Sequence, residues 1–173
     1  MCGPRGLKGA SDHLFKNNGD GTFTDVSEKA GVSDKNLYYG FGVAWMDFDD
    51  DGRPDLAVAN DSTPSYLYHN KGDGTFEDVT ERCGVADAEG RSFSATFVDM
   101  DGDTWLDLFV ANDVSPNVLY HNMLGAKEGS FYRTLLDPAE SAEQSPTAFV
   151  EVSAITGVAD SRGSMGLSVA ETG

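Results

Sequence analysis

The sequence predicts an all-β fold, a β-propeller of four-stranded antiparallel blades that forms only part of a ring in this chain. Three observations lead to this prediction: a segment of the sequence repeats itself, the apolar residues of each repeat alternate with a period of two, and glycine-rich turns separate the short alternating runs. These features favour a radial arrangement in which each repeat forms one four-stranded blade.

The repeat is clearest when the chain is aligned with itself. Residues 55–70, DLAVANDSTPSYLYHN, match residues 107–122, DLFVANDVSPNVLYHN, at a shift of 52 positions. Residues 14–32 match residues 67–85 at a shift of 53 positions. A third copy resumes at AFVEVSAITGV after an insertion rich in Ala, Glu, Ser and Pro, which is typical of an exposed loop. A β-sandwich is the weaker alternative because it does not explain this periodicity.

Each repeat holds about four predicted strands. In the first complete repeat they lie near 42–48, 55–60, 66–70 and 75–80. The second of these carries apolar or small residues on both faces, which fits a strand in a sheet that neighbouring sheets cover on both sides. The turn NKGDG at 70–74 supplies the glycine, Asn and Asp residues that a tight hairpin requires.

The repeats divide the chain into five predicted segments. They are an N-terminal segment (1–12), a partial blade made of a hairpin with its linker (13–40), a blade with a first acidic loop (41–92), a blade with a second acidic loop (93–163, including the inserted loop 123–147) and the start of the next blade (164–173). A propeller usually closes with four to eight blades, so the ring is incomplete here. Either further blades of a longer chain or self-association of copies would cover its open ends.

The composition is that of a globular protein with a large excess of acidic residues. The 29 Asp and Glu residues against 12 Lys and Arg residues give a formal net charge of −17. This charge repels phosphate backbones and anionic lipid surfaces, which argues against nucleic acid as a partner. No apolar run reaches the eighteen or so residues of a membrane-spanning helix, so no membrane insertion is expected. The two cysteines, Cys2 and Cys83, leave intramolecular pairing open.

Much of the acidity is concentrated in a loop with the spacing of a metal site, DFDDDGRPD at 47–55. Its predicted oxygen ligands are the carboxylates of Asp47, Asp49, Asp51 and Asp55 and the backbone carbonyl of Arg53. Two carboxylates about 4 Å apart repel each other by roughly 4 kcal/mol at an effective dielectric of about 20, and a bound dication reverses the sign of this energy. Calcium is the expected ion because it takes six to eight oxygen ligands, and no His or Cys cluster has the spacing of a zinc site.

A second loop, DMDGDTWLD at 99–107, repeats this pattern at a shift of 52. Its carboxylates at the same four positions are Asp99, Asp101, Asp103 and Asp107. A solvated acidic turn is the alternative for one isolated loop, but it would have to arise twice in register. An EF-hand does not fit, because valine stands where a bidentate Glu is needed. Thr104 stands where the first loop has Gly52, and this exchange is expected to weaken ion binding.

The segments GVAWMDFDDDGRPDLAVAND and LYHNKGDGTFEDV resemble the FG-GAP/VCBS repeats of integrin α-subunit propellers and of many secreted bacterial proteins. The N-x-G-D-G-T-F hairpins are most similar to those of the ASPIC/UnbV and cartilage acidic protein group. This resemblance implies a seven-bladed propeller with calcium in the loop between the first two strands of a blade. By position it also adds the carbonyl of Trp105 to the second ligand set. It further implies that the ions are mainly structural and that other loops bind the partner.

Other candidate residues are expected to have structural roles. His69 and His121 occupy the same position in two repeats and are expected on strand surfaces rather than as catalytic bases. Five aromatic residues are expected to pack between blades, with a carbohydrate-binding surface as the alternative. They are Tyr38, Tyr39, Phe41, Trp45 and Trp105. Asn60 begins a glycosylation-like triplet, but a role in the turn that ends a strand is the favoured interpretation.

Two functional hypotheses of different class follow. The first is a non-catalytic, extracellular or periplasmic propeller with two structural calcium ions, used for adhesion, recognition or assembly; such sites suit the calcium concentrations found outside cells. The sequence does not decide whether its partner is a protein or a carbohydrate. The second is the scaffold part of a calcium-dependent secreted enzyme, such as a polysaccharide lyase, with catalytic groups elsewhere. The sequence contains no nucleophile-elbow, P-loop or HExxH motif.

Overall fold

The computed structural model describes residue 4, residues 6–125 and residues 148–159. The strands in these ranges are β1 (Phe15–Asn17), β2 (Phe23–Asp25), β3 (Gly40–Met46), β4 (Asp55–Asn60), β5 (Tyr66–Asn70), β6 (Phe76–Asp78), β7 (Ser92–Val98), β8 (Asp107–Asn112), β9 (Val118–Asn122) and β10 (Phe149–Glu151). The helices are α1 (Ser27–Ala30), α2 (Thr80–Cys83) and α3 (Ser153–Thr156). The predicted start of a further blade at 164–173 lies outside the described residues.

The strands form two four-stranded antiparallel sheets and one hairpin. β3, β4, β5 and β6 pair in chain order, and β7, β8, β9 and β10 repeat this order in a second sheet. β1 and β2 form a separate hairpin whose sequence corresponds to that of β5 and β6. The prediction of an all-β fold with four-stranded antiparallel blades is confirmed, and the described strands form part of a ring.

The predicted strand positions agree with the observed ones at β4 and β5, whereas both ends of β3 and of β6 differ by one or two residues. β4 and β5 begin and end at the predicted residues, and β3 starts two residues earlier than predicted. β6 is shorter than predicted because the chain turns into the one-turn helix α2, which the sequence analysis did not predict. Gly84 ends this helix in the left-handed conformation, with φ of 76°. Among the described helices, which have four residues each, none is long and apolar enough to cross a membrane.

The core lies between the sheets, and β4 is buried on both faces as predicted. Leu56 and Val58 face the β1–β2 hairpin side and pack in a cluster with Ala30. Ala57 faces the second sheet and packs in another cluster with Leu108. Fully burying an aliphatic side chain of the size of Val or Leu stabilises a fold by about 1.5–3 kcal/mol. The apolar contacts between successive sheets therefore hold the blades together.

The structure shows what the aromatic residues and the asparagine singled out in the sequence contact. Phe41 packs against Phe93 of the second sheet, with ring centroids 4.4 Å apart, which confirms its expected position between blades. Trp45 instead contacts Phe76 of its own sheet edge-on, at 5.9 Å, and stays 44% exposed. Asn60 is buried, and its Nδ2 donates to the carbonyl of Pro64 at 2.6 Å, which confirms its role in the turn.

Cys83 provides a test of the packing between the sheets. Its side chain is 4% exposed, and burial raises the pKa of its thiol to about 11. We expect the folded Cys2→Ser variant to react with iodoacetamide at pH 8 roughly a hundredfold more slowly than the same variant in urea, because the thiolate is the reactive form. Mass spectrometry of the alkylated chain measures both rates. Equal rates would show that the thiol is accessible and that this core is not packed as described.

Candidate metal centres

The two acidic loops occupy the same place in the two four-stranded sheets. The first joins β3 to β4, and the second joins β7 to β8. The last predicted ligand of each loop, Asp55 or Asp107, is the first residue of the following strand and is at most 1% exposed. The sheet topology therefore places both candidate centres at the same end of neighbouring blades.

The two buried aspartates hold each loop to the body of its sheet. Asp55 accepts hydrogen bonds from the amide of Phe48 at 3.1 Å through Oδ2 and from the amide of Asn70 at 2.7 Å through Oδ1. Asp107 repeats this arrangement with the amides of Met100 at 3.0 Å and Asn122 at 2.8 Å. One carboxylate thus joins the start of the loop, the beginning of the second strand and the end of the third strand.

The first aspartate of each loop accepts hydrogen bonds from the backbone at the loop apex. Asp47 accepts from the amide of Asp51 at 3.0 Å and from that of Gly52 at 2.7 Å. Asp99 accepts from the amide of Gly102 at 2.8 Å and from that of Thr104 at 3.0 Å, among others. These bonds satisfy backbone amides that would otherwise be unpaired, and they curl the loop around its own acidic side chains.

The third predicted carboxylate ligand of each loop, Asp51 or Asp103, fixes the residue whose carbonyl is a predicted ligand. Asp51 Oδ1 accepts from the amide of Arg53 at 2.9 Å, and Asp103 Oδ1 accepts from the amide of Trp105 at 2.9 Å. The guanidinium of Arg53 also binds the carboxylate of Asp51 and donates to the carbonyl of Asn70 at 2.8 Å. The carbonyls of Arg53 and Trp105 remain predicted ligands.

Three carboxylates of each loop converge closely enough to share one ion. One oxygen each from Asp47, Asp49 and Asp55 lie within 4.8 Å of one another, and the same holds for Asp99, Asp101 and Asp103. Oxygens on opposite sides of a calcium ion, bound at 2.3–2.6 Å, are about 5 Å apart. The two remaining predicted carboxylate ligands, Asp51 and Asp107, lie in clusters of the same size that include a histidine.

Asp49 shows most directly that the first loop fits a cation. Its Oδ1 is buried and has no hydrogen-bond partner among the described residues. Burial raises the pKa of Asp49, and the nearby charge of Asp51 adds to this effect. Burial likewise raises the pKa of Asp101 in the second loop. A bound dication would stabilise these ionised carboxylates, so the residues present fit a hard divalent ion.

Two histidines lie beside the carboxylate clusters, a position that their sequence pattern did not predict. His121 is 2% exposed, so its expected position on a strand surface is wrong, and its Nδ1 lies 2.9 Å from Asp107 Oδ1. His69 Nδ1 lies 3.3 Å from both Asp49 Oδ2 and Asp55 Oδ1. The sequence signal was limited to their recurrence at the same repeat position, each directly before an asparagine, Asn70 or Asn122.

The histidines give each loop a second possible donor set. Burial lowers the pKa of His121, but the hydrogen bond to Asp107 and the charge of this carboxylate outweigh burial, so that the pKa of His121 is raised. His69 with Asp49 and Asp51 also forms a cluster within 4.8 Å, and His121 forms another with Asp107 and Asp101. An imidazole nitrogen suits transition metals, whereas the all-carboxylate clusters suit calcium or magnesium.

Both loops follow the same backbone path although their glycines differ. The first loop has positive φ at Asp50 (57°) and Gly52 (84°), and the second has positive φ at Gly102 (77°) and Thr104 (79°). Glycine thus occupies only one of the two left-handed positions in each loop. Asp tolerates this conformation, but a β-branched residue in it costs about 1–2 kcal/mol. The second loop keeps the shape of the first with backbone strain at Thr104.

Replacing Thr104 by glycine should relieve this strain. We expect Thr104→Gly to raise the free energy of unfolding by about 0.5–1 kcal/mol, because the relief exceeds the added freedom of glycine in the unfolded chain. The matched variant Gly52→Thr should lower it by about 1–2 kcal/mol. Urea denaturation at a fixed calcium concentration measures both changes. A loss of stability in both variants would contradict the assigned strain.

A protein-family model matches the region that carries both loops. The model of the FG-GAP-like repeat family matches residues 7–58 and 47–110, which together are more than half of the chain. Cartilage acidic protein 1 of Xenopus tropicalis is 34% identical over 102 residues, and its counterpart in Homo sapiens is 35% identical over 99 residues. Each alignment covers 57% of this chain and only 15% of the relative. The alignment thus spans only a small part of the length of those proteins.

Proposed function

The chain belongs to the FG-GAP-like repeat family, and we propose that it is an extracellular propeller module without catalytic activity, stabilised by one calcium ion in each acidic loop. The observation that carries this proposal is the buried, unpartnered Oδ1 of Asp49 inside a cluster of carboxylates. A buried polar atom without a partner is costly, and an ion at the centre of the cluster would satisfy it.

Calcium suits these loops better than other common metal ions. The four carboxylates and one carbonyl proposed for each loop supply most of the six to eight oxygens that calcium takes. Magnesium keeps more of its waters and demands a stricter octahedral geometry. In the proposed centres the histidines lie beside the oxygen ligands, and the hydrogen bond between His121 Nδ1 and Asp107 holds that buried aspartate in position.

The proposed ions have a structural role because their ligands connect separate strands. Asp55 joins the first loop to β4 and, through the amide of Asn70, to β5. In the second blade Asn122 donates from Nδ2 to the carbonyl of Phe48 at 2.8 Å, which links that blade to the first loop. An ion that fixes either loop would therefore also stiffen the junction between the blades. The stiffened module would present other loops to a protein or carbohydrate partner in adhesion, recognition or assembly.

An extracellular location forms part of the proposal. Calcium-binding modules outside cells work at dissociation constants of about 0.1–1 mM, which match open loops of this kind. The name of the matched relatives, cartilage acidic protein 1, places those proteins in cartilage. The net charge of −17 also agrees with a protein that works with several bound divalent cations.

Calcium should stabilise the chain through two separable sites. An ion that binds only the folded state adds about 2.7 kcal/mol per site at a concentration 100 times its Kd. We expect Asp49→Asn and Asp101→Asn each to remove about half of the rise in melting temperature and one of the two ions counted by calorimetry. Asp50→Asn is the matched control, because Asp50 is an exposed residue of the same loop that is not a predicted ligand.

The same Asp49→Asn variant should behave differently when a chelator removes calcium. Burial raises the pKa of Asp49, so above this pKa the ionised carboxylate destabilises the folded state relative to the unfolded chain. Removing the charge should then leave the melting temperature at neutral pH equal to or higher than that of the wild type. Differential scanning fluorimetry in calcium, magnesium, zinc and chelator makes the comparison. A greater stabilisation by zinc than by calcium would instead support the histidine-containing donor sets.

A further inference from the structure

The first junction between sheets, where the β1–β2 hairpin meets the sheet β3–β6, is filled by a tyrosine. The ring of Tyr66 stacks on Tyr38 with centroids 5.7 Å apart and contacts Tyr68 at 5.4 Å. Its hydroxyl donates to Asp34 Oδ1 at 2.8 Å and accepts from Asn36 Nδ2 at 2.9 Å. Both Tyr66 and Asp34 are less than 9% exposed, so the hydrogen bond between them is shielded from solvent.

The second junction, between the two four-stranded sheets, lacks both stacked rings. Val118 of β9 pairs with Val110 of β8 in the register in which Tyr66 of β5 pairs with Val58 of β4. Gly90 takes the place of Tyr38. The backbone hydrogen bonds show this equivalence. The carbonyl of Tyr39, the residue after Tyr38, accepts from the amide of Asp61, and the carbonyl of Arg91, the residue after Gly90, accepts from the equivalent amide of Asp113.

The loss of the two rings coincides with a cavity of about 490 Å³ at the second junction. Its lining includes Asp87, Glu89, Gly90, Val118, Tyr120 and Glu151. Asp87 corresponds to Asp34 at the repeat shift of 53, and Tyr120 corresponds to Tyr68 at the shift of 52. The second junction therefore keeps the carboxylate that receives a phenol hydroxyl and the ring on which the phenol lies, without the phenol itself.

Hydrogen bonds and the backbone hold the Asp87 carboxylate in place. Its Oδ2 accepts from Asn112 Nδ2 at 3.0 Å and from the hydroxyl of Ser92 at 3.3 Å. A Cβ added at Gly90 would lie 2.1 Å from this oxygen, so glycine is required there while the carboxylate keeps its position. A larger side chain at position 90 therefore cannot fill the cavity as Tyr38 fills its counterpart.

We propose that this cavity binds a phenolic ring, the chemistry of a tyrosine side chain, supplied from outside the chain. The ring would lie against Tyr120 as Tyr66 lies against Tyr68, and its hydroxyl would donate to Asp87 as that of Tyr66 donates to Asp34. Glu89 and Glu151 also line the cavity, and their negative charge selects against phosphorylated or sulfated tyrosine. This site is separate from the proposed calcium centres, and its test does not depend on them.

The test uses 4-methylphenol, the side-chain analogue of tyrosine, with the full chain in calcium-containing buffer. We expect saturable binding of one equivalent by calorimetry and a rise in melting temperature. Toluene has the same ring without the hydroxyl and should bind at least about tenfold more weakly, because it cannot donate a hydrogen bond to the carboxylate. Absence of binding by 4-methylphenol up to its solubility limit, or equal binding of toluene, would overturn the proposal.

Two variants locate the bound ring. Val118→Tyr should restore the arrangement of the first junction, raise the melting temperature and abolish binding of 4-methylphenol. Tyr66→Val should open the matching cavity at the first junction and raise the number of bound equivalents from one to two, which tests the proposal even if Val118→Tyr does not fold. Unchanged binding in a folded Val118→Tyr, or one equivalent in a folded Tyr66→Val, would contradict it.

A blocked Gly-Tyr-Gly peptide distinguishes the sources of the ring. Competition with 4-methylphenol would show that a tyrosine of a partner protein can reach the cavity, and binding of 4-methylphenol alone would assign the cavity to a small phenol. The phosphotyrosine form of the peptide should not compete. Competition by that form equal to the unmodified peptide would overturn the assigned role of the Asp87 carboxylate.

Discussion

The buried carboxylate at the start of the second strand of each sheet is the constraint on which the candidate centres depend. Asp55 and Asp107 lie out of contact with water, where an ionised group must be compensated by hydrogen bonds or by opposite charge. Each carboxylate binds two backbone amides from different parts of its blade and has a histidine close to it. The need to satisfy this one charge therefore fixes the loop, two strand ends and an imidazole relative to one another.

Asn122 extends this constraint from one blade to the next. Its amide binds Asp107, and its Nδ2 donates both to the carbonyl of Leu106 in its own loop and to that of Phe48 in the preceding loop. Since Asn122 is fully buried, these bonds are protected from competition with water. The two acidic loops are thus parts of one hydrogen-bonded network across the junction. A change in the geometry of one loop would therefore alter the hydrogen bonds that Asn122 makes to the other.

The sequence predicted those features that both repeats share. β4 and the acidic clusters of the two loops could be placed because their positions recur at a shift of 52, and a period-two pattern specifies which faces are buried. Ion binding by these carboxylates stays a prediction. The helices α1, α2 and α3 escaped prediction because one turn is too short to show helical periodicity. Burial of His121 was missed because a polar residue on a strand normally faces water, and only the tertiary structure shows the buried carboxylate beside it.

The differences between the repeats carry other information, because they mark positions that the fold does not determine. Val118 in place of Tyr66 leaves a cavity, and Thr104 in place of Gly52 accepts a strained backbone. The first blade shows that the same architecture forms without this cavity and without a strained threonine. Costs of this kind tend to persist in proteins where the local structure serves a purpose other than stability. Both lie in the second blade, which is therefore where a function beyond holding the propeller together is best sought.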